Sequence, residues 1–494
     1  MQGLLGMYQD LENPDFGNLP KKNVNKPKVQ SKVYNQKPAV TQKKKGIINN
    51  KKSPAKKNNE IDKDIFSPLS ILGQKNKLYD NNEDDNIIPG EEDIKSKIDI
   101  NNIENIIENL NDKKYKYKSI EELQNVLKKK AEENNLSTEE SKAFLIYCWV
   151  AKNLSYYIGN RPDNSPLGAL QKRITQCSGY ARLFKELLQI FNIKSILIHG
   201  CGRTYSLNPK VKEENHEWNA IKINGKYYLC EVTWGSGKVE NGKFIQAYNT
   251  YYFCCPPEQF IQTHLPSKEL EKWQLLTKKL SKNDMDNLLY KDKFFYIYGF
   301  IDINPNEGVV KLNNENLYDV KIYNKNNVKD LRLSCKIFYE NNLVENASCI
   351  EKFGNYFLIH FIFNKKGKYN ILFFTTDKSG ITYSQLIIRQ QFVVSSAAKI
   401  SKSFPSMLSF PDDLHIIEPK YNNLPKNKQI LFKFKSNDIE DMGVVADKKC
   451  EHLKKKEEGI FEGNFTIKNE EVLVGKFTPD NPKSLKVMVK YKVK

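Results

Sequence analysis

Cys177 has the surroundings that a nucleophilic cysteine needs. It stands in Gln-Cys-Ser-Gly-Tyr, directly before a segment whose apolar residues recur with the period of an α-helix: Leu183, Phe184, Leu187, Leu188 and Phe191. This spacing places Cys177 at the start of a buried helix. The first N–H groups of a helix lack backbone partners and the helix dipole is positive there, so the position favours a thiolate, the form of cysteine that attacks carbonyl carbons.

A nucleophilic cysteine also needs a base and a group that orients the base, and one predicted hairpin supplies both. Asn224-Gly225 lies between two β-rich segments, which is a strong hairpin signal. A two-residue turn pairs Ile223 with Lys226. Counting outward from that pair puts His216 and Glu231 on one face as diagonal neighbours, roughly 7–8 Å apart between backbones, a gap that their side chains can bridge. A loop of odd length would put the two side chains on opposite faces.

Five short motifs resemble those of a known protein family. They are Cys-Ser-Gly-Tyr at 177–180, His-Glu-Trp at 216–218, Glu-Val-Thr-Trp-Gly-Ser-Gly at 231–237, His-Leu-Pro at 264–266 and Trp-Gln-Leu-Leu at 273–276. The first three are similar to the transglutaminase-like cysteine hydrolase core. With the last two, the pattern is similar to the kyphoscoliosis peptidase family within that superfamily.

The resemblance covers about residues 120–280 well and the rest of the C-terminal half loosely. It implies a papain/transglutaminase-like α+β catalytic core in which Cys177 is the nucleophile, His216 the general base and Glu231 the carboxylate that orients the base. The family usually has aspartate at the third position. Glutamate keeps the charge and the acceptor atoms, but its extra methylene shifts their position.

The expected function is that of a cysteine peptidase, which attacks a peptide or glutamine amide carbonyl of a protein substrate. The backbone N–H of Cys177 is a candidate oxyanion donor, and Gln176, Trp218 and Trp234 are candidate oxyanion or substrate-binding residues. Water as the second substrate makes the enzyme a peptidase, whereas an amine makes it a transglutaminase-type transferase. The resemblance favours the peptidase.

Other interpretations of these residues stay open. The core can be a weakly active or inactive scaffold in which Cys177 is an inert buried thiol. Relatives of that kind typically lose the cysteine, whereas Cys177 and His216 are both present here. His264 competes with His216 as the base but has no paired carboxylate strand. His199 and Cys201 are interpreted as structural because no further ligands stand at tetrahedral spacing, so neither a metal nor a cofactor is expected.

Composition and periodicity divide the chain of 494 residues into four parts with an overall multidomain α+β fold. Residues 1–85 are polar and rich in lysine and asparagine, and are predicted to be a disordered tail. Residues 86–285 form the predicted catalytic domain, which begins with helices. Residues 286–396 and 397–494 alternate with period two between turn residues, which predicts two immunoglobulin-like β-sandwich domains.

The formal charge of +19 is concentrated in the tail. Residues 21–59 hold 13 lysines and no acidic residue, which leaves 65 basic against 59 acidic residues elsewhere. The folded part is thus mildly basic, and nucleic-acid binding is expected only non-specifically, through the tail. The lysine-rich segments at 43–45 and 51–57 are interpreted as parts of a solvated linker, with a nuclear-localisation signal or a tether to an acidic surface as the alternatives.

The first residues lack the basic segment and apolar core of a signal peptide, and no segment of about 18 apolar residues predicts a transmembrane helix. The nine cysteines are scattered and odd in number, which favours a reducing, cytoplasmic location. The expected partners are a protein or peptide substrate and, through the edges of the sandwiches, other chains such as a cytoskeletal protein.

Overall fold

The computed structural model describes residues 87–494, apart from 111–114, 161, 204–213, 314–315, 378–383, 397–401, 409–412, 469 and 479–480. The predicted disordered tail, with its lysine-rich segments, lies outside the described residues. Within the described part, no helix combines the length and the apolar character that crossing a membrane requires.

Helices form much of the part that precedes the sandwiches. In chain order they are α1 (Ile100–Leu110), α2 (Ile120–Glu133), α3 (Glu139–Asn153), α4 (Pro166–Lys172), α5 (Cys177–Leu188), α6 (Val232–Ser236), α7 (Pro257–Phe260), α8 (Lys282–Asn287) and α9 (Lys293–Ile297). Every residue of α3 from Ala143 to Ala151 is buried, as in a helix that packs on all sides. Thr138 starts α3 by accepting a 3.2 Å hydrogen bond from the N–H of Ser141.

A small antiparallel sheet lies beside these helices. The strands of this part are β1 (Ser155–Tyr156), β2 (Ile174–Thr175), β3 (Ser195–Gly202), β4 (His216–Ile223), β5 (Lys226–Cys230), β6 (Gly237–Glu240), β7 (Lys243–Gln246) and β8 (His264–Pro266). The sheet has the order β5-β4-β3-β8, while β1 pairs with β2 and β6 with β7. Helix α5 packs between α3 and β4, so the core of the domain lies between the helices and this sheet.

The predicted hairpin is present, with Ile223 opposite Lys226. Asn224 adopts the left-handed conformation that its turn requires, at φ 48°. Its backbone N–H donates to Glu139 at 2.7 Å and its side-chain amide donates to Glu140 at 2.8 Å. The turn is thereby fastened to the start of α3, which fixes the strand that leads to His216.

The first sandwich consists of two facing sheets. Its strands are β9 (Tyr290–Lys291), β10 (Phe300–Asn304), β11 (Val309–Leu312), β12 (Leu317–Asn324), β13 (Leu331–Tyr339), β14 (Asn342–Val344), β15 (Ser348–Phe353), β16 (Tyr356–Ile362), β17 (Gly367–Asp377) and β18 (Gln385–Val394). One sheet has the order β10-β12-β16-β15, and the other has β11-β18-β17-β13-β14 with β9 joined to β18. Alternate residues point inward, for example Phe357, Ile359 and Phe361 of β16.

The second sandwich repeats this plan. Its strands are β19 (Ser406–Met407), β20 (His415–Glu418), β21 (Gln429–Lys435), β22 (Met442–Ala446), β23 (Lys449–His452), β24 (Lys454–Lys455), β25 (Ile460–Thr466), β26 (Glu471–Thr478) and β27 (Asn481–Lys492). The sheets have the orders β19-β27-β26-β22-β23 and β20-β21-β25-β24. The predicted fold class, an α+β core followed by two immunoglobulin-like sandwiches, is confirmed, whereas the residue limits of the domains stay predictions.

Candidate active site

Cys177 is the first residue of α5. The N-cap residue is Gln176, whose carbonyl accepts hydrogen bonds from the N–H groups of Gly179 at 2.9 Å and Tyr180 at 3.1 Å. A Cβ atom on Gly179 would lie 1.9 Å from Thr175 Oγ1, so glycine allows the first turn of α5 to approach the preceding strand. Cys177 is 5% exposed, which places its thiol almost wholly inside the protein.

His216 is the first residue of β4 and is 2% exposed. Two contacts hold its strand against α5. Asn219 donates a 3.1 Å hydrogen bond to the carbonyl of Ala181, and Arg182 forms a 3.2 Å ion pair with buried Glu217. The strand that carries the imidazole is therefore fixed against the helix that carries the thiol.

Glu231 lies where β5 becomes α6. The ladder between β4 and β5 ends at the pair Asn219–Cys230, so the prediction that Glu231 is a diagonal neighbour of His216 within the hairpin is wrong. The reason is local: Glu231 is the N-cap of α6, and its Oε1 accepts from the N–H groups of Thr233 at 2.6 Å and Trp234 at 3.2 Å. These bonds fix the carboxylate plane.

Helix α6 is itself held in place by α5 and α3. Ser236 Oγ is hydrogen-bonded to the hydroxyl oxygen of Tyr180 at 3.2 Å. Gly235 packs under Tyr147, where a Cβ atom would lie 2.0 Å from the phenol oxygen. The elements that carry the three predicted catalytic residues are thus tied to one another by buried contacts.

The structure brings His216 and Glu231 together. Nε2 of His216 lies 2.6 Å from Oε2 of Glu231, the oxygen that the backbone N–H groups leave free. Cys177 also acts on this imidazole, since its thiol is among the groups that raise the pKa of His216. Because Nε2 faces the carboxylate, Nδ1 is the ring nitrogen that remains for the thiol.

The electrostatics of this cluster favour a charged imidazole. Burial on its own would lower the pKa of His216, but the charges of Glu231 and Cys177 and the hydrogen bond to Glu231 raise it to about 10. Burial acts to raise the pKa of Glu231, but the charge of His216 and the hydrogen bond to it hold that pKa well below its ordinary value. The site therefore stabilises an imidazolium beside an ionised carboxylate.

His264 is a further member of the cluster, and sequence reasoning undervalued it. Strand β8 pairs with β3, so that His264 lies opposite Gly202. Its Nε2 is 3.4 Å from Oε2 of Glu231. The strand of His264 pairs with no carboxylate strand, as expected, but Glu231 approaches both histidines from the start of α6. The signal that could have pointed to it is the His-Leu-Pro motif at 264–266.

The other predicted site residues surround the cluster. Trp218 and Trp234 have ring centres 6.1 Å and 5.5 Å from the imidazole of His216. The indole nitrogen of Trp218 is buried and has no hydrogen-bond partner among the described residues. The amide nitrogen of Gln176 donates to the carbonyl of Gly159 at 3.0 Å, a bond that it would have to give up to serve as an oxyanion donor.

Among the residues that the structure describes, two clusters have donor atoms close enough together to hold a metal ion. The atoms of His216, Glu231 and His264 lie within 4.8 Å of one another, and so do those of a second group, His199 with Glu214 and Glu269. The fold thus brings two carboxylates near His199 that the spacing of residues in the sequence did not indicate. In the first cluster the 2.6 Å contact is shorter than the roughly 3.4 Å that separates two ligands at about 2.1 Å from a tetrahedral ion, so its geometry is that of a hydrogen bond.

Comparisons with known proteins agree with the family resemblance that the motifs indicate. Residues 126–232 match the transglutaminase-like superfamily. Kyphoscoliosis peptidase of Homo sapiens is 28% identical over 184 residues, which are 35% of this chain and 28% of that protein. The protein of the same name from Mus musculus is 28% identical over 176 residues, 34% of this chain and 26% of its own length. Hillarin of Drosophila melanogaster is 25% identical over 182 residues, 33% of this chain and 22% of that protein. The matched part thus spans about a quarter of the length of these curated relatives.

Proposed function

Because the chain carries a transglutaminase-like domain related to that of kyphoscoliosis peptidase, we propose that it is a cysteine peptidase that acts on proteins or peptides. One observation carries the proposal: a buried histidine, whose pKa is raised by a thiol at the start of a helix, has its Nε2 2.6 Å from a buried carboxylate. Thiol, imidazole and carboxylate in this order form a Cys-His-Glu triad.

In the proposed reaction, the thiolate of Cys177 attacks the carbonyl carbon of the amide and the carbonyl electron pair moves to oxygen. The intermediate collapses, the C–N bond breaks, and His216 gives its proton to the leaving amine. A thioester to Cys177 remains. Water then attacks this thioester while His216 takes the proton of the water. The second intermediate collapses, the C–S bond breaks, and the carboxylic acid product leaves the thiolate of Cys177 beside the imidazolium of His216, which is the starting state.

The role of Glu231 is to orient His216 and to stabilise the imidazolium. A glutamate side chain has one more rotatable bond than the aspartate usual in the family. The two backbone N–H groups on Oε1 remove this freedom and direct Oε2 at the imidazole. The extra methylene of Glu231 therefore does not prevent the carboxylate from orienting His216.

The negative charge that develops on the substrate oxygen needs hydrogen-bond donors. The backbone N–H of Cys177, at the start of α5, is the first of these. The buried indole N–H of Trp218 is a second candidate, because it has no partner among the described residues and a buried donor left unpaired is costly.

A scaffold function is the second candidate, and one observation favours it. Cys177, His216 and Glu231 are 5%, 2% and 0% exposed, so a peptide can reach the sulfur only after neighbouring groups move. In a scaffold the same buried cluster would serve stability, and the sandwiches would bind protein partners such as cytoskeletal chains. For either function, peptidase or scaffold, we propose that the protein is located in the cytoplasm.

A comparison of the full chain with its Cys177→Ala variant tests the function. Each is incubated with a cell-protein extract and a biotin-labelled primary amine, and new N-termini and biotinylated glutamines are mapped by mass spectrometry. New N-termini that depend on Cys177 support the peptidase, whereas biotinylation that depends on Cys177 would assign a transferase. Identical maps for the two proteins would leave the scaffold.

A further inference from the structure

We propose that His264 is a positioning residue of this site: as a neutral imidazole it donates a hydrogen bond to Glu231 and thereby holds the carboxylate in line with His216. The inference rests on the proposed function, since it assigns a role within that reaction. It extends the site from three residues to a chain that runs from the thiol of Cys177 to the hydroxyl of Thr263.

The hydrogen-bond partners of His264 select one arrangement of its proton. Nδ1 lies 2.8 Å from the hydroxyl oxygen of Thr263, and Nε2 lies 3.4 Å from Oε2 of Glu231. An ionised carboxylate only accepts hydrogen bonds, whereas a hydroxyl donates as well as accepts. The carboxylate therefore places the proton on Nε2. The hydroxyl of Thr263 then donates to Nδ1 at 2.8 Å in preference to the more distant carbonyl of Phe260 at 3.4 Å. Among the described residues, Nε2 has no formed hydrogen bond, and Oε2 of Glu231, 3.4 Å away, is the acceptor that it faces.

The two histidines differ in charge, as the proposed reaction requires. Burial and the positive charge of His216 lower the pKa of His264 to about 4, although Glu231 acts in the opposite direction. The pKa of His216 is raised by the same carboxylate and by Cys177. At neutral pH His264 is thus a neutral donor and His216 carries the positive charge, a separation typical of paired catalytic groups.

Aromatic side chains keep the imidazole of His264 from turning away. It stacks on Phe260 with ring centres 4.4 Å apart and contacts Trp234 at 4.5 Å and Trp218 at 5.1 Å. The side chain is 0% exposed. A donor held this firmly restricts Oε2 of Glu231 to the position in which it faces His216.

Two substitutions separate positioning from packing. In His264→Gln the amide nitrogen takes the place of Nε2 and still donates to Glu231, whereas His264→Met fills similar volume without a donor. The readout is the rate at which iodoacetamide alkylates Cys177, compared at pH 6 and pH 8 in the full chain. We expect His264→Met to lower the rate at pH 6 on the order of ten-fold and His264→Gln to stay within about two-fold of the unsubstituted chain, in line with the usual effect of residues that orient a reacting group.

A role in packing alone predicts the opposite order, because methionine suits an apolar site better than an amide does. Equal rates for His264→Met and the unsubstituted chain, or a larger loss in His264→Gln than in His264→Met, would overturn the inference.

Thr263→Val gives a second test if a substitution of His264 prevents folding, with Thr263→Ser as its control. Valine should lower the alkylation rate at pH 6 and serine should not. Equal rates for the two variants would also overturn the inference. If Cys177 of the unsubstituted chain is not alkylated selectively, the proposed function fails with the inference, whereas selective alkylation that is insensitive to His264→Met removes the inference alone.

Discussion

Glu231 accepts a 2.6 Å hydrogen bond from His216 although the ladder between their strands ends one residue before the carboxylate. The residue that follows β5 also begins α6. One oxygen of Glu231 is therefore held by the N–H groups of Thr233 and Trp234, and the other is left for the imidazole. The proposed catalysis depends on this division of the two oxygens.

Glu231→Gln should abolish most of the activity. The side-chain oxygen will stay on the backbone N–H groups, so the amide NH₂ faces His216 and cannot accept its proton. We expect the catalytic rate to fall on the order of 10³- to 10⁴-fold, as when the carboxylate of a triad becomes an amide. Glu231→Asp keeps the charge and should retain more activity than the amide. A rate for Glu231→Gln equal to that of the unsubstituted chain would remove Glu231 from the mechanism.

The stability of the catalytic domain should depend on the state of His264. Its pKa in the folded chain, about 4, lies below the ordinary 6.5, so the unfolded chain binds more protons between these values. The contribution of the neutral imidazole is present in full above pH 6.5 and is lost as the pH falls through about 4. We expect urea midpoints to fall from pH 7 to pH 4.5, and to fall less in His264→Gln.

Tryptophan fluorescence is a suitable readout because it reports on this domain alone. The chain has four tryptophans, and all precede the sandwiches: Trp149, Trp218, Trp234 and Trp273. An equally steep fall in the midpoint of His264→Gln would show that His264 is not neutral in the folded chain. At high pH the dependence of stability on pH has the opposite sign. The pKa of His216 is raised in the folded chain, so the stability that its charged imidazole contributes is lost as the pH rises through about 10.

Substitution of Asn224 in the hairpin turn should lower the free energy of unfolding more than is usual for an exposed turn residue. Asn224→Ala removes the 2.8 Å bond to Glu140 and puts alanine at φ 48°. Asn241 provides a matched control, because it occupies a similar Asn-Gly turn at φ 50° in the β6–β7 hairpin. The difference between the two alanine variants isolates the bond to Glu140, and we expect it to be about 1.5–3 kcal/mol of unfolding free energy, the usual range for a hydrogen bond to a charged group. Equal losses would show that the strained backbone accounts for the whole effect.

The local part of the site could be predicted from sequence because each step involves neighbours along the chain. The helical period after Cys177 places it at a helix start, and Asn224-Gly225 sets the hairpin register. The period-two segments indicate the sandwiches for the same reason. The end of β5 could not be predicted this way, because Glu231 suits a strand by pattern and caps a helix only through its own side chain.

The contact between His264 and Glu231 was beyond sequence reasoning for a different reason. Strand β8 has only three residues, too few to show alternation, and it pairs with β3, which is distant in sequence. His264 is also buried, so surface exposure does not mark it as a functional residue. Only the assembled sheet brings the second imidazole to the carboxylate.

The selectivity of alkylation at Cys177 tests the central claim most directly. Cys450 is an internal comparator, because it is exposed whereas Cys177 is buried. Burial and Asp441 raise the pKa of the Cys450 thiol, so its reaction with iodoacetamide should require high pH. We expect Cys177 to be alkylated faster than Cys450 at pH 6, and Glu231→Gln to remove this advantage. A Cys177 that reacts at pH 6 no faster than Cys450 would contradict the account, because accessibility would then explain the order of reaction without an activated thiol.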